Sequence, residues 1–326
     1  MRPIPLIGTL LLVVACTPAG SGQVVPVAPP AGSCAPLAVV DSVGLMRDVS
    51  RLADDSMRGR LFGSREAIRA RDYLAARFDA VGLATVGAGR THEFPVIPTR
   101  DGITRAWNVV GMVRGTERPD EYIVVTAHYD HIGVGRAVGG DSIYNGADDN
   151  ASGAAALVAL AKMFIAAPPR HTVVFAAVDG EERGMWGSKH FVEAPTVPLD
   201  RILVNANMDM IGRNDSNELY AAGPGRYPAL APLVEATAVC APVTLRMGHD
   251  TPAAGPGDDW TSQSDHASFH RHGIPFVYFG EEDHPDYHRP GDSVDHLMPA
   301  FYVGSVRTVA EFLRRFDNAP IARTAP

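Results

Sequence analysis

The chain of 326 residues predicts an α/β fold, with a mixed, mostly parallel central sheet flanked by helices. Three observations lead there. Two short apolar runs, Tyr122–Ala127 (YIVVTA) and Thr172–Val178 (TVVFAAV), read as buried strands because they show no polar alternation. The Ala- and Leu-rich segment Gly153–Ala166 between them is long enough for the crossover helix that parallel strands require. Further on, Ile202–Met208 and Pro275–Phe279 repeat the strand pattern, and Met298–Phe316 closes the chain as an amphipathic helix.

Taken from the N-terminus, the first element is an address rather than structure. Arg2 precedes the apolar run Ile4–Ala15, which is too short to span a bilayer as a mature helix and reads as an export signal. It ends Val13-Val14-Ala15-Cys16, which resembles the lipobox of bacterial lipoproteins and implies cleavage after residue 15 and acylation of Cys16. Thr17 is not the Asp that signals inner-membrane retention, so the expectation is an exported, outer-membrane lipoprotein. Residues 16–37 are uncharged and rich in Pro, Gly, Ala and Ser, the composition of a flexible tether. One catalytic domain is expected over 38–317, with a tail over 318–326. Within it, Ile68, Tyr73, Leu74, Phe78 and Val81 fall at helical spacing and Gly82 supplies a stop. No second linker or internal repeat interrupts the pattern.

Composition narrows the function. Hydrophobic residues are 46% and charged residues 20%, values of an ordinary globular protein, and the net charge of −8 disfavours a phosphate-backbone binder. No nucleic acid partner is expected. Three cysteines are too few for a disulfide scaffold, although an oxidising compartment would permit Cys34 and Cys240 to pair.

The polar residues gather where the apolar runs end. YIVVTA is followed by His128-Tyr129-Asp130-His131, and Gly146-Ala147-Asp148-Asp149-Asn150-Ala151-Ser152-Gly153 opens the next helix. TVVFAAV runs into Asp179-Gly180-Glu181-Glu182, the third strand into Asn207-Met208-Asp209, and Asp286-Tyr287-His288-Arg289-Pro290 precedes the last helix. Ligands of open α/β sheets collect beyond the carboxyl ends of the strands, so these motifs converge on one rim. Each has a plain structural reading: adjacent Asp residues cap helices, paired Glu residues solvate loops, and His-x-Asp is an everyday hydrogen bond. Their recurrence in order after successive strands outweighs those readings, and a His/Asp/Glu set without thiolates suits Zn²⁺ or a similar metal.

The ordered set HYDH, GADDNASG, EE, NMDMIG and YHRPGDS resembles the co-catalytic zinc metallopeptidases of family 28, the bacterial leucyl aminopeptidases and glutamate-carboxypeptidase relatives. The likeness runs over about residues 45–315 and includes Met57-Arg58-Gly59-Arg60. It implies a single-domain zinc-peptidase fold binding two Zn²⁺ per chain. By this resemblance one metal is held by His128 and Asp209, the other by Glu182 and His288, and Asp148 bridges them. It further implies a cis peptide after the bridging residue, which would join Asp148 to Asp149. Glu181 is then the general base for a metal-bridging hydroxide, and Asp130 is the acceptor that orients the His128 ring. His131, His266 and His284 are expected in structural or rim positions, and the Gly248–Asp265 loop, with Asp258, Asp259 and Trp260, is expected near a specificity pocket.

The expected function is a dinuclear zinc exopeptidase, an aminopeptidase acting on peptides with a free N-terminus and attached to the lipid membrane through Cys16. Two alternatives stand beside it. A glutaminyl cyclase would share the fold and use one catalytic zinc. A non-catalytic binding protein on the same scaffold would have lost ligands, and here none is missing.

Overall fold

The structure, a computed structural model, describes residues 24–26, 34, 39–87, 89–97, 102–251, 255 and 257–323. The export signal and Cys16 lie outside the described residues, as does most of the tether. In chain order the elements are β1 (Val24–Pro26), α1 (Ser42–Leu52), α2 (Arg65–Val81), β2 (Thr91–Pro95), β3 (Arg105–Val113), β4 (Arg118–His128), β5 (Gly133–Val138), β6 (Asp141–Tyr144), α3 (Gly153–Ala166) and β7 (His171–Val178). They continue with α4 (Trp186–Glu193), β8 (Ile202–Met208), β9 (Glu218–Ala222), α5 (Ala231–Ala238), β10 (Thr244–Met247), α6 (His266–Arg271), β11 (Phe276–Gly280), α7 (Pro299–Asn318) and β12 (Ile321–Arg323).

The main sheet has eight strands in the order β10-β9-β11-β8-β4-β7-β3-β2. Its centre, β11-β8-β4-β7, is parallel, while β9, β3 and β2 join antiparallel and β10 joins β9 in parallel. The apolar runs are continuous because both faces are covered. On β7, Val173, Phe175 and Ala177 face one cluster with Leu157 and Leu160 of α3, Leu74 and Phe78 of α2, and Phe312 of α7. The alternate residues Val174, Ala176 and Val178 face a second cluster with Phe191 of α4 and Phe269 of α6. Period-two alternation is therefore present, but between two apolar layers. Each fully buried Leu or Phe contributes about 1.5–3 kcal/mol to holding the layers together.

Local signals set the helix ends. Ser64 caps α2 by accepting from the Ala67 N–H, and Gly82 ends it at φ 86°, in the left-handed region a glycine enters without strain. Two strands, β2 and the nine-residue β3, fill the stretch before β4, where the apolar runs of the sequence predict none. β3 reads RAWNVVGMV, and its apolar pattern is broken by Asn108 and Gly111. The buried Asn108 side chain donates to the Gly187 carbonyl (2.8 Å), so its polarity serves packing between elements. Near the N-terminus, β1 pairs with β12, and Cys34 is disulfide-bonded to Cys240. The disulfide thus ties Cys34 to the domain, and β1 pairs with the C-terminal tail.

Candidate metal centre

The carboxyl edge of the parallel strands carries the site. β4 ends on His128, β7 runs into Asp179 and then Glu181-Glu182, and Asp209 directly follows β8. His128 Nδ1 lies 3.1 Å from the Asp130 carbonyl oxygen, which can only accept, so Nδ1 carries the proton. The Nε2 lone pair then faces Asp209 Oδ1 at 3.2 Å and Asp149 Oδ1 at 3.3 Å. A lone pair held against two carboxylate oxygens is repulsive unless a proton or metal cation lies between them. The Asp130 carboxylate, expected to orient His128, lies 3.5 Å from Nδ1, and its Oδ1 accepts from the Glu181 N–H (3.1 Å). It links the histidine loop to the loop bearing the candidate base.

Asp149 is the residue common to both halves. Its Oδ2 is 3.1 Å from His288 Nε2 and 3.5 Å from His131 Nδ1. Glu182 completes that half, with Oε2 at 3.2 Å from His288 Nε2 and Oε1 at 2.8 Å from His131 Nδ1. Of three groups of candidate metal ligands among the described residues, two share Asp149, His128–Asp149–Asp209 and His131–Asp149–Glu182–His288, and the third, Asp148–Glu281–His284, does not.

This corrects the expectation for the bridging position: Asp149 stands there, and Asp148 does not. Asp148 turns to the other side of the loop, where its Oδ1 accepts from the Gly212 N–H (2.7 Å) and its Oδ2 lies 3.6 Å from His284 Nε2. The cis peptide likewise joins Asp149 to Asn150 rather than Asp148 to Asp149. The physical reason is loop anchorage. Asp292 accepts from the N–H groups of both Asp148 (2.8 Å) and Asp149 (3.0 Å), while Asn150 donates to the Met208 carbonyl (2.9 Å). With the backbone held on both sides, the two adjacent carboxylates point in opposite directions.

Arg60, from the MRGR stretch, supports the same loop from below. Fully buried at positive φ (46°), it donates to the carbonyls of Asn145 (2.6 Å), Gly146 (2.8 Å), Tyr129 (2.7 Å) and Leu52 (2.7 Å). Burial draws its pKa down to about 10, against the pull of Asp292, Asp149 and Asp130, so it stays cationic at neutral pH.

The titrating groups of the cluster act strongly on one another. Burial is the largest influence throughout. It drives Glu181 well above the usual carboxylate range, with Asp209, Asp265 and Glu182 adding to the rise. It would lower His128, but Asp209, Asp130 and Asp149 overcome it and hold the imidazole well above its ordinary value. Against the same upward push, His131, His128 and His288 keep Asp149 well below the usual range. Glu182 Oε1 and both ring nitrogens of His131 are buried without a hydrogen-bond partner. Buried charge of this density needs pairing or a metal, and donors of this kind, N and O with no thiolate, fit zinc.

Glu181, Asp149, Asp209 and His288 line one cleft together with Trp260, Gln263, Tyr278, Asp283 and Tyr287. Trp260 lines this cleft. Asp258 and Asp259 are not in the lining: Asp258 pairs with His249 and Asp259 with Arg226. His266 is structural, its Nε2 donating to the Trp260 carbonyl (2.8 Å). The sequence reading missed His131 as a member of the cluster; the available signal was its place one residue after Asp130, in the same turn as His128.

The model of peptidase family M28 matches residues 108–313, well over half of the chain. The chain belongs to peptidase family M28. Aminopeptidase YwaD of Bacillus subtilis is 30% identical over 204 residues, covering 58% of this M28 chain and 40% of that protein. The chain thus matches less than half the length of that curated relative. Among solved structures, the fold is shared with BSAP, a zinc aminopeptidase from Bacillus subtilis, at a TM-score of 0.66 and 17% identity over 84% of this chain and 95% of that one. It is also shared with a glutaminyl cyclase of Bacteroides thetaiotaomicron, at a TM-score of 0.60 and 18% identity over 84% and 98%.

Proposed function

We propose that this M28 protein is a dinuclear zinc aminopeptidase that removes residues from peptides with a free N-terminus. The observation that carries the proposal is the Asp149 carboxylate, whose two oxygens face two separate groups of ligands at the wall of a cleft that Glu181 also lines. His128 and Asp209 would hold one zinc, Glu182 and His288 the other, with Asp149 shared. Bound there, zinc supplies a Lewis acid that polarises the scissile carbonyl and makes water nucleophilic at neutral pH.

The chain supplies the rest. Glu181, which lines the cleft beside Asp149, Asp209 and His288, takes the proton of the attacking water and returns it to the leaving amine. Asp130 fixes Glu181 through its backbone N–H and His128 through its ring, so one residue sets the spacing of base and ligand. Asp283 at the cleft is an acceptor for the substrate's ammonium group, and Trp260, Tyr278 and Tyr287 give an apolar wall to its side chain.

The test is zinc content of the purified protein together with hydrolysis of an aminoacyl-anilide panel. About two zincs per chain with chelator-sensitive release from free-amine substrates is the expected result. One zinc with ring closure of N-terminal glutamine and no hydrolysis would establish the cyclase reading, which the likeness to the Bacteroides enzyme keeps in view. The setting we propose is outside the cytoplasm, with the chain attached to the outer membrane through acylated Cys16. The Cys34–Cys240 bridge supports an oxidising compartment. Palmitate labelling in cells that disappears in Cys16→Ser is the expected outcome.

A further inference from the structure

We infer that His131 is itself a metal ligand, so that the second zinc is held by four protein donors and the first by three. This rests on the dinuclear reading above and extends it to a residue outside the family set of His128, Asp149, Asp209, Glu182 and His288.

Geometry is the first argument. Four zinc ligands at about 2.0–2.1 Å in a tetrahedron stand about 3.3 Å from one another. The distances found are 2.8 Å for His131 Nδ1 to Glu182 Oε1, 3.5 Å for His131 Nδ1 to Asp149 Oδ2, 3.1 Å for His288 Nε2 to Asp149 Oδ2 and 3.2 Å for His288 Nε2 to Glu182 Oε2. They scatter around that length, with Glu182 turning Oε1 to one imidazole and Oε2 to the other, and donor atoms of all four residues lie within 4.8 Å of one another.

Unmet bonding is the second. His131 is completely buried, yet neither ring nitrogen has a hydrogen-bond partner among the described residues. Nδ1 and Glu182 Oε1 are close enough for a hydrogen bond and are not aligned for one, since both atoms remain unpartnered. Two atoms side by side with their lone pairs converging are placed as two ligands of one ion.

The third argument is placement. A Cβ on Gly146 would stand 2.5 Å from His131 Cγ and 2.2 Å from the Asp149 carbonyl oxygen, and Gly146 is at φ 57°. Only glycine lets the imidazole lie flat on the loop that presents Asp149. The His131 ring also meets the His288 ring edge-on, with centroids 5.6 Å apart, so both imidazoles approach the same space.

The consequence is an unequal pair of sites. With His131, the second site has a complete tetrahedron of protein donors, the pattern of a tightly held zinc. The His128–Asp149–Asp209 site keeps an open fourth position, as catalytic zinc sites do.

The test is a zinc-edge anomalous diffraction structure of the zinc-loaded full chain, with zinc X-ray absorption measured on the same protein. His131 Nδ1 at about 2.0–2.1 Å from the second zinc is expected, with the scattering of three imidazoles shared between two metals. Nδ1 beyond about 3 Å, with two imidazoles, overturns the inference and leaves the dinuclear reading standing. A single zinc in the His128 site overturns both. In the variants, His131→Ala and His131→Asn should both weaken the second zinc by roughly 100-fold or more, beyond the 10–100-fold of a residue that only orients a ligand, and leave the first unchanged. Rescue by His131→Asn, which keeps a hydrogen-bond donor, would show that His131 merely donates to Glu182. The measurements on the unmutated protein decide the matter even where a variant fails to fold.

Discussion

Replacing each of the two adjacent aspartates in turn tests which carboxylate joins the halves of the site. Asp149→Asn keeps the shape and removes one charge. Asp149 Oδ1 lies 3.3 Å from His128 Nε2 and Oδ2 lies 3.1 Å from His288 Nε2, so the lost charge had faced both groups. In the dinuclear centre proposed above, two Zn²⁺ would bring +4 against −3 from Asp149, Asp209 and Glu182; the variant leaves −2. Breaking a buried charge interaction costs about 3–5 kcal/mol, which is roughly 10²–10⁴-fold in affinity, and here it should fall on both metals. In Asp148→Asn the amide oxygen keeps the bond from the Gly212 N–H (2.7 Å), and the new NH₂ faces Glu281 and His284. That variant should hold both zincs and lose only about 1–2 kcal/mol of stability, the scale of one altered buried hydrogen bond. Metal per chain after dialysis against graded chelator, with thermal melting in parallel, reads both outcomes. If Asp148→Asn strips the zinc while Asp149→Asn binds it normally, the assignment of the shared carboxylate is wrong.

Three further outcomes follow. Glu181→Gln should retain its zinc and lower kcat by about 10²–10⁴-fold, measured by elemental analysis beside steady-state hydrolysis. His266, fully buried, has its pKa lowered to about 3 by burial, against the Trp260 carbonyl, which raises it. Its contribution is present above the unfolded value near 6.5 and is lost as pH falls through about 3, because the unfolded chain binds the proton first; denaturant titrations from pH 7 to 3 should show an acid loss of about 4–5 kcal/mol that is smaller in His266→Gln. Removing the bridge between Cys34 and Cys240, separated by 206 residues, should cost up to about 5 kcal/mol on the chain-entropy account, seen as a lower melting temperature in the double Ser variant.

The strands were legible where burial on both faces made them wholly apolar. β4, β7 and β8 stand where the runs YIVVTA, TVVFAAV and Ile202–Met208 put them, and α3 joins β4 to β7 by way of β5 and β6. β3 escaped because Asn108 and Gly111 interrupt its pattern for reasons of packing with α4 and Leu83, contacts that exist only in the folded molecule. The rim was legible for the same reason as the strands: a residue that directly follows a buried run has its position fixed by that run. His128 and Asp209 are of this kind, and Glu182 follows β7 after only Asp179, Gly180 and Glu181. Asp148 and Asp149 sit in an irregular loop whose direction is set by Asp292, distant in sequence, and no local pattern tells which of two neighbouring carboxylates turns inward. His131 was hidden by the opposite problem, since its partner Glu182 follows a different strand and its own motif was already explained by His128.

The anchors of the Asp149 loop have a bearing on when metal can be acquired. Gly146 is held by Arg60 from 86 residues upstream, and Asp148 by Asp292 from 144 residues downstream. Contacts at such separations form late, after the chain has closed its large loops. The donor atoms therefore reach their spacing only when nearly the whole domain has folded, and a nascent or partly unfolded chain offers zinc nothing better than scattered single ligands. Metal affinity at this centre is then tied to the folding of the whole domain, so whatever loosens the hold of Arg60 or Asp292 on the loop weakens the hold on metal as well.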